Sequence, residues 1–147
     1  MSRRKGRVLA FQALYSYDVG GMSCDDLLKL EWAGKTDQSG NELNVESADF
    51  ARLLIAGSIE HLDEIDSLIK KHLSGKWEFD RVNKVSLAII RMSVFSLLYQ
   101  KDTAPSVVID EAIDIAKEYG ADDAFKFINA VLDNINKDIS SPSEQKS

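Results

Sequence analysis

The stretch from Val85 to Tyr99 is the most apolar part of the chain, and it limits the folds that the chain can adopt. It is only about 15 residues long and includes Arg91, whereas a bilayer span needs roughly 20 mostly apolar residues. We therefore expect a helix that other helices cover on several sides. Elsewhere apolar residues recur at helical spacing, and no segment keeps the alternation of a strand. The sequence predicts an all-α fold.

The periodicity divides into about seven helices separated by glycine and polar residues. Gly20 and Gly21 end the first helix, Ser23 is a candidate N-cap for the second, and 33–44 is expected to be a loop. The predicted helices run from Arg3 to Asp18, from Ser23 to near Trp32, from Val45 to Leu73, from Val82 to Tyr99, from Pro105 to Gly120, and from Asp122 to Asp138. Near Ser58 the stretch from Val45 to Leu73 either continues or breaks into a third and a fourth helix.

We expect two packed helical bundles that form one compact unit, with a boundary near Ser74 and Gly75. Residues 1–75 form the N-terminal bundle with a basic first helix, 76–139 form the C-terminal bundle, and 140–147 form a disordered polar tail. Helical spacing predicts inward-facing residues in the third and sixth helices. They are Phe50, Leu53, Leu54 and Gly57 in the third, and Ile109, Ala112, Ile113 and Ala116 in the sixth.

Charge is distributed unevenly along the chain. The formal net charge is −6, which by itself argues against general nucleic-acid binding. Residues 1–17 nevertheless contain four basic residues and no acid, so they sum to +4 and the remainder to −10. This asymmetry favours a local contact with an anion. A basic start that only improves solubility is the alternative.

The composition offers little support for an enzyme. His61 and His72 lack a second histidine or cysteine at a ligand spacing, so we expect no metal and place both on exposed helix faces. We find no glycine-rich phosphate loop and no base near Cys24, and we expect no cofactor and no catalysis. The acidic clusters at Asp63, Glu64 and Asp66 and at Asp110, Glu111 and Asp114 are expected to be solvated. The start of the chain lacks the apolar run of a signal peptide, and the single cysteine excludes an internal disulfide, so a cytoplasmic protein is expected.

The first helix has the groups that RNA binding needs. A rotation of 100° per residue places Ala10, Leu14 and Tyr17 on the core side. Lys5 and Gln12 lie opposite, and Arg4 and Tyr15 share a border of that polar side. Cations neutralise phosphates, and an exposed ring can stack on an unpaired base. The residue pattern alone equally allows a half-buried Tyr15 and a passive Gln12.

The last helix carries a second polar surface. Lys126, Asn129 and Asp133 form its polar side, and Phe127 lies at the edge of that side, away from the stripe of Ile128 and Ile135. An aromatic ring beside a lysine and an asparagine can hold a base. Packing of Phe127 against a neighbouring helix is slightly favoured on the pattern alone.

Four segments, in order, resemble the NusB family of transcription antitermination factors. The first has an arginine cluster followed by Ala-Leu-Tyr and an acid, the second has Arg91 in an Ile-Arg context, and the third has Glu-Ala followed by Ala-Lys. The fourth, DAFKFINAVLDNI, is similar to the family's Phe-Val-Asn-Gly-Val-Leu-Asp signature. The segments are Arg3 to Asp18, Trp77 to Tyr99, Ala104 to Gly120, and Asp123 to Ile135.

The resemblance implies two three-helix-like bundles and binding to boxA-type single-stranded RNA in ribosomal RNA leaders. It also implies a protein partner, the small-subunit ribosomal protein that acts as NusE, and an RNA polymerase complex that resists termination. A homodimer is possible. Carried over by residue, the RNA-binding set comprises Arg3, Arg4, Lys5, Arg7, Gln12, Tyr15, Lys126, Phe127 and Asn129.

The chain departs from the family pattern at five positions. Gly6 stands where alanine is frequent, so the start of the first helix is expected to fray. Val8 and Ser96 each stand where an acid is common, Asp110 replaces a frequent asparagine, and Ala130 replaces a glycine. If that glycine allows close helix approach, the methyl group of Ala130 requires a small shift.

Two other functions stay open at this point. One is a helical adaptor that binds only proteins, with an incidental basic end. The other is an RNA-binding module like those fused to ribosomal RNA methyltransferases. The chain shows no glycine-rich cofactor loop, which favours an autonomous factor.

Overall fold

A computed structural model describes residues 2–30, 45–73 and 79–140 of the chain. Within these ranges the chain forms seven α-helices and no strand, which confirms the predicted all-α fold. The predicted loop at 33–44 and the boundary at Ser74 and Gly75 lie outside the described residues. The second helix was predicted to reach near Trp32, but it ends at Lys29, where Leu30 adopts a left-handed conformation with φ +59°. The helices are α1 (Ser2–Tyr15), α2 (Cys24–Lys29), α3 (Val45–Glu60), α4 (Leu62–Lys71), α5 (Lys84–Tyr99), α6 (Pro105–Tyr119) and α7 (Ala124–Ser140).

Local signals set several helix ends. The Ser23 hydroxyl accepts a hydrogen bond from the Asp26 amide at 3.1 Å, which confirms it as the N-cap of α2. Asn83 caps α5 by accepting from two amides, and Pro105 is the first residue of α6. The first helix was predicted to reach Asp18, but its α-helical part ends at Tyr15. A π-helical turn, Ser16–Gly20, follows, and the turn ends at Gly21, whose φ is +73°.

Helix α5 lies at the centre of the described molecule. Twelve of its residues are buried, as its apolar sequence predicts. It contacts α1, α3 and α4 from the first part of the chain and α6 and α7 from the second. The buried residues of all seven helices belong to one hydrophobic core. The division at residue 75 into two bundles stays a prediction, and α7 continues through Ser140, the first residue of the predicted tail.

Two of the predicted inward-facing stripes need correction. Leu53 is 52% exposed, whereas its neighbour Leu54 is fully buried, because α3 turns Leu54 toward the core. In α6 the buried apolar residues are Val108, Ala112, Ile115 and Ala116, so the inner stripe is rotated from the predicted one. Ile109 and Ile113 are only half-buried. Both helices carry apolar residues around much of their circumference, so periodicity alone does not fix the rotation.

The two histidines, and one residue in each acidic cluster, Asp66 and Glu111, are less exposed than predicted, whereas the other members of both clusters are exposed. The His61 ring stacks on Tyr99 with centroids 4.2 Å apart, and His72 Nε2 lies 2.8 Å from Asp138 Oδ2. Asp66, expected to be solvated, accepts hydrogen bonds at 2.8 and 2.9 Å from the buried guanidinium of Arg91. A buried arginine needs a partner, so the fold supplies a carboxylate there.

The positions that depart from the family pattern fit the fold without distortion. Val8 is half-buried against the core, and the Ser96 hydroxyl donates to Gln100 Oε1 at 2.6 Å. Asp110 is exposed. Ala130 also lies on the exposed side of α7, so its methyl group does not require the predicted shift.

Candidate nucleic-acid interface

The first turns of α1 are packed tightly against α3. Gly6 is buried, and a Cβ atom added to it would lie 2.8 Å from Cδ2 of Phe50. The absence of a side chain at Gly6 therefore lets the Phe50 ring approach the backbone of α1. The predicted fraying at Gly6 is not seen, since α1 is helical from Ser2 onward.

The four basic residues of α1 lie in different surroundings. Arg3 is exposed, and its guanidinium carbon is 4.7 Å from the centroid of the Phe50 ring. Lys5 is half-buried, and it forms no salt bridge with the residues that the structure describes. Arg7 is only 5% exposed and also lies over Phe50, at 5.3 Å. The main role of Arg7 is therefore packing against Phe50, and contact with an anion is secondary.

Arg4 is held by two carboxylates of α6. Its Nη2 donates to Glu111 Oε2 at 3.1 Å and to Asp114 Oδ2 at 3.0 Å, and its Nε donates to Glu111 Oε1. Arg7 Nη1 lies 3.9 Å from the same Glu111 Oε1. Two acids from the cluster that was expected to be solvated thus neutralise part of the basic helix.

The pKa values follow this geometry. The hydrogen bond from Arg4 holds the pKa of the Glu111 carboxyl below its ordinary value, and the same bond raises the pKa of Arg4. Burial lowers the pKa of Arg7. Glu111 is consequently charged at neutral pH, and its carboxylate accepts hydrogen bonds from the Arg4 guanidinium in the way that a phosphate oxygen would.

Helices α1 and α6 lie side by side and run in the same direction. Arg4, near the start of α1, contacts Glu111 in the middle of α6, and the Phe11 ring contacts the ring of Tyr119, the last residue of α6, with centroids 5.3 Å apart. Helix α7 begins at Ala124, shortly after α6 ends at Tyr119, so the contact between Phe11 and Tyr119 places the second half of α1 near the turn between α6 and α7.

The residues predicted on the second half of α1 and on α7 are accessible to different degrees. Tyr15 is 38% exposed, which favours the accessible ring over the buried alternative, and Gln12 is half-buried. The Lys126 side chain is 70% exposed with its Nζ 3.8 Å from Asp123 Oδ1, and Asn129 is exposed. Phe127 is half-buried and packs against the core, as the pattern slightly favoured.

Sequence reasoning missed the corner between α6 and α7. The Tyr119 side chain is 41% exposed although one edge contacts Phe11, and Lys117 Nζ lies 4.9 Å from the centroid of the Phe125 ring. Burial raises the pKa of Tyr119, so the phenol is protonated at neutral pH. The aromatic and basic residues on both sides of Gly120, which are Lys117, Tyr119, Phe125 and Lys126, are the signal that could have identified this corner.

Other classes of site find no support in the described parts of the chain. Residues 2–30, 45–73 and 79–140 contain no cluster of three or more metal-ligating side chains. None of the helices in these ranges is long and apolar enough to cross a bilayer. The cations and exposed rings of this arrangement can bind an anionic strand and stack on bases.

An all-helical chain with a basic first helix flanked by exposed rings defines a nucleic-acid-binding helical module. The protein-family model described as "NusB family" matches residues 4–137. The chain belongs to the NusB family. It is 49% identical over 138 residues to the transcription antitermination protein NusB of Treponema denticola, a match that covers 92% of this chain and 96% of that protein.

Solved structures agree with this assignment. A Thermotoga maritima NusB structure superposes with a TM-score of 0.78 at 36% identity, covering 92% of this chain and 90% of that one. A second, of antitermination factors NusB and NusE in complex with double-stranded RNA, gives 0.78 at 31% identity, covering 93% and 97%. The resemblance found in the sequence is confirmed at the level of family and fold.

Proposed function

We propose that this protein is a transcription antitermination factor that binds boxA-type single-stranded RNA of ribosomal RNA leaders together with the small-subunit ribosomal protein NusE. The NusB relatives named above support the role in antitermination. A related NusB was crystallised with NusE and RNA. The observation that carries the proposal in this chain is the α1 surface, where cations, an amide and an exposed ring lie along one side.

The proposed RNA surface contains residues that act directly and residues that act through others. The exposed Arg3, the half-buried Lys5 and the exposed Lys126 neutralise phosphates. Tyr15 stacks on a base, and Asn129 reads or positions one. The remaining predicted residues, Gln12 and Phe127, are half-buried and shape the surface beside these groups.

Arg4 and Arg7 have separate roles in this proposal. Arg7 is buried against Phe50 and stabilises the position of α1. Glu111 and Asp114 occupy the Nε and Nη2 donors of Arg4, so an RNA phosphate gains these donors only by replacing a carboxylate, whereas Nη1 can be reached directly. The carboxylates thus restrain the affinity of the free protein for RNA, which suits a factor whose partner protein completes the complex.

The protein acts in this proposal by binding alone, without catalysis and without a cofactor, in the cytoplasm where transcription takes place. A purely protein-binding adaptor is the alternative, and the basic start of α1 together with the exposed Tyr15 at the end of the same helix favours RNA over that alternative.

The double substitution Arg3→Ala with Lys5→Ala tests the RNA surface. The combination of Arg4→Ala and Arg7→Ala is less informative, because Arg7 is buried and its loss disturbs packing. Each phosphate contact to a single strand contributes about 0.7 to the slope of log K against log salt, so the slope is expected to fall by about 1.4. Fluorescence anisotropy with a boxA-like strand measures it. An unchanged affinity and slope in a folded variant would remove the RNA-binding proposal.

A further inference from the structure

The Phe50 side chain of α3 contacts two arginines of α1. The guanidinium carbons of Arg3 and Arg7 are 4.7 and 5.3 Å from the centroid of the Phe50 ring. Both distances are within the range of a cation–π contact. The two arginines are four residues apart, so they lie on the same side of α1. One ring therefore contacts two of the four cations at the basic start of α1.

The close approach of this ring depends on Gly6. A Cβ atom at Gly6 would lie 2.8 Å from Cδ2 and 3.3 Å from Cβ of Phe50. Carbon atoms in van der Waals contact are separated by about 3.5–4.0 Å, so the ring lies directly against the bare backbone of α1. Phe50 is itself half-buried, and this packing fixes the position of its ring.

The two arginines differ in their access to solvent. Arg7 is 5% exposed, and its Nη1 lies 3.9 Å from Glu111 Oε1, so Arg7 supports the fold. Arg3 is exposed, and its side chain forms no salt bridge or hydrogen bond with any residue that the structure describes. A guanidinium over a ring is attracted by the π electrons and keeps its N–H donors. The Phe50 ring therefore orients Arg3 without occupying the donors that a phosphate needs.

Arg4 shows the opposite arrangement. Its Nε and Nη2 donors are occupied by Glu111 and Asp114. A carboxylate that orients an arginine competes with phosphate for it, whereas an aromatic ring does not. An arginine that becomes ordered only on binding loses rotamer entropy, which reduces affinity by about two- to tenfold per side chain. A ring that orders the arginine beforehand reduces this loss.

We infer that Phe50 is a positioning residue for RNA binding, which holds Arg3 ready to receive a phosphate group of the strand. Phe50 acts through Arg3 and does not itself contact the RNA. The inference rests on the proposed function, because Arg3 belongs to the proposed RNA surface. The alternative is a purely structural role, in which Phe50 only packs α1 against α3.

The test is a double-mutant cycle of Phe50→Leu and Arg3→Ala, measured by fluorescence anisotropy with a boxA-like strand. Leucine keeps an apolar side chain at position 50 and removes the ring. Phe50→Leu is expected to weaken RNA binding by about two- to fivefold, the effect of losing an exposed cation–π contact. In the Arg3→Ala background the same substitution is expected to change the affinity by less than about 1.5-fold, because the ring acts through Arg3.

The salt dependence separates positioning from direct contact. Arg3→Ala removes a phosphate contact, so the slope of log K against log salt is expected to fall by about 0.7. Phe50→Leu leaves the charge of Arg3 in place, and the entropy of ordering a side chain does not depend on salt. The Phe50→Leu variant is therefore expected to bind more weakly than the wild type with a slope that differs by less than about 0.2.

Two further variants control for packing. Phe50→Tyr keeps the ring face and is expected to retain most of the wild-type affinity. Phe79→Leu removes another half-buried ring, which contacts Lys70 at 4.9 Å and Arg91 at 5.7 Å and no arginine of α1. Phe79→Leu is expected to leave the RNA affinity unchanged. Circular dichroism and urea denaturation verify that each variant folds.

The contact between Arg3 and Phe50 can also be observed without RNA. Protons above an aromatic ring are shifted upfield by its ring current. The δ-methylene protons of Arg3 are therefore expected to resonate upfield in the NMR spectrum of the wild type and to lose that shift in Phe50→Leu. An unshifted Arg3 in the wild type would contradict the geometry on which the inference depends.

The outcomes separate this inference from the proposed function. Equal RNA affinities of folded Phe50→Leu and the wild type would overturn the positioning role and leave the RNA surface intact. An equal loss with and without Arg3, or the same loss in Phe79→Leu, would assign the effect to packing and also overturn that role. If the wild type binds no RNA although the Arg3 protons are shifted, the proposed function itself fails, and the positioning role fails with it.

Discussion

Replacing Glu111 by glutamine tests how the protein uses Arg4. Glu111 is the main partner of Arg4, and glutamine keeps the size of the side chain while removing its charge. The variant leaves Arg4 with a neutral amide and with Asp114, whose side chain is 54% exposed. If the carboxylate competes with RNA phosphate, the change lowers stability and raises affinity for RNA together.

The magnitude follows from the exposure of the pair. The side chains of Arg4 and Glu111 are 37% and 23% exposed, so solvent screens much of their attraction. A partly exposed ion pair of this kind contributes about 1 kcal/mol. The variant is therefore expected to lose about 1 kcal/mol of unfolding free energy and to gain at most about fivefold in RNA affinity. One additional phosphate contact steepens the salt slope by about 0.7.

The effect on stability has a defined pH dependence. The folded state lowers the pKa of Glu111 below its ordinary value of 4.5. A carboxyl with a lowered pKa contributes stability above its unfolded pKa and loses that contribution as the pH falls through the folded pKa. The wild type is therefore expected to be more stable than Glu111→Gln near neutral pH, and the two converge in acid.

The assays are urea denaturation and anisotropy titration with a boxA-like strand at several salt concentrations. Glu118→Gln is the control, because Glu118 is an exposed carboxylate of the same helix and the substitution makes the same change in net charge. A gain in RNA affinity equal to that of the control, or a loss of affinity, would refute the competition between Glu111 and phosphate for Arg4.

Three further predictions concern the core. Gly57→Ala is expected to cost about 1–3 kcal/mol of unfolding free energy, because the new Cβ would lie 2.2 Å from the Phe95 ring. A denaturation midpoint equal to that of the wild type would contradict this prediction. Arg91→Met is expected to lower the unfolding free energy by about 3–5 kcal/mol in urea denaturation, because the half-buried Asp66 loses the guanidinium that it binds. A loss below about 1 kcal/mol would be inconsistent with this role of Arg91. Ser58→Ala is expected to be neutral or stabilising by up to about 1 kcal/mol in thermal unfolding, since the buried Ser58 hydroxyl has no hydrogen-bond partner among the described residues. A clear loss of stability would reveal a hydrogen-bond partner for this hydroxyl.

The sequence predicts the helices well because their signals are local. The apolar run from Val85 to Tyr99 produces a buried α5, and the cap at Ser23 and the proline at Pro105 fix two helix starts. Helix rotation is less predictable. Leu53 and Leu54 are adjacent and equally apolar, and only the packing of α3 against its neighbours decides which of them faces solvent.

The ion pairs of the site could not be predicted from the sequence. Glu111 and Asp114 are three residues apart, so a shared helix face was foreseeable. Their partner lies more than a hundred positions away, since Arg4 reaches them only when α1 packs beside α6. Tertiary packing therefore decides whether an acidic cluster is solvated or bound to a cation. The basic and aromatic residues of α1 could be read from the sequence, but the pairing of Arg4 with Glu111 and Asp114 could not.

The most direct measurement is a titration of the protein with a boxA-like strand and with a scrambled strand of equal length, each with and without the ribosomal protein. The boxA-like strand is expected to bind more tightly than the scrambled one, and the ribosomal protein is expected to increase that difference. Equal affinities for both strands under both conditions would contradict sequence-preferring RNA binding by the α1 surface.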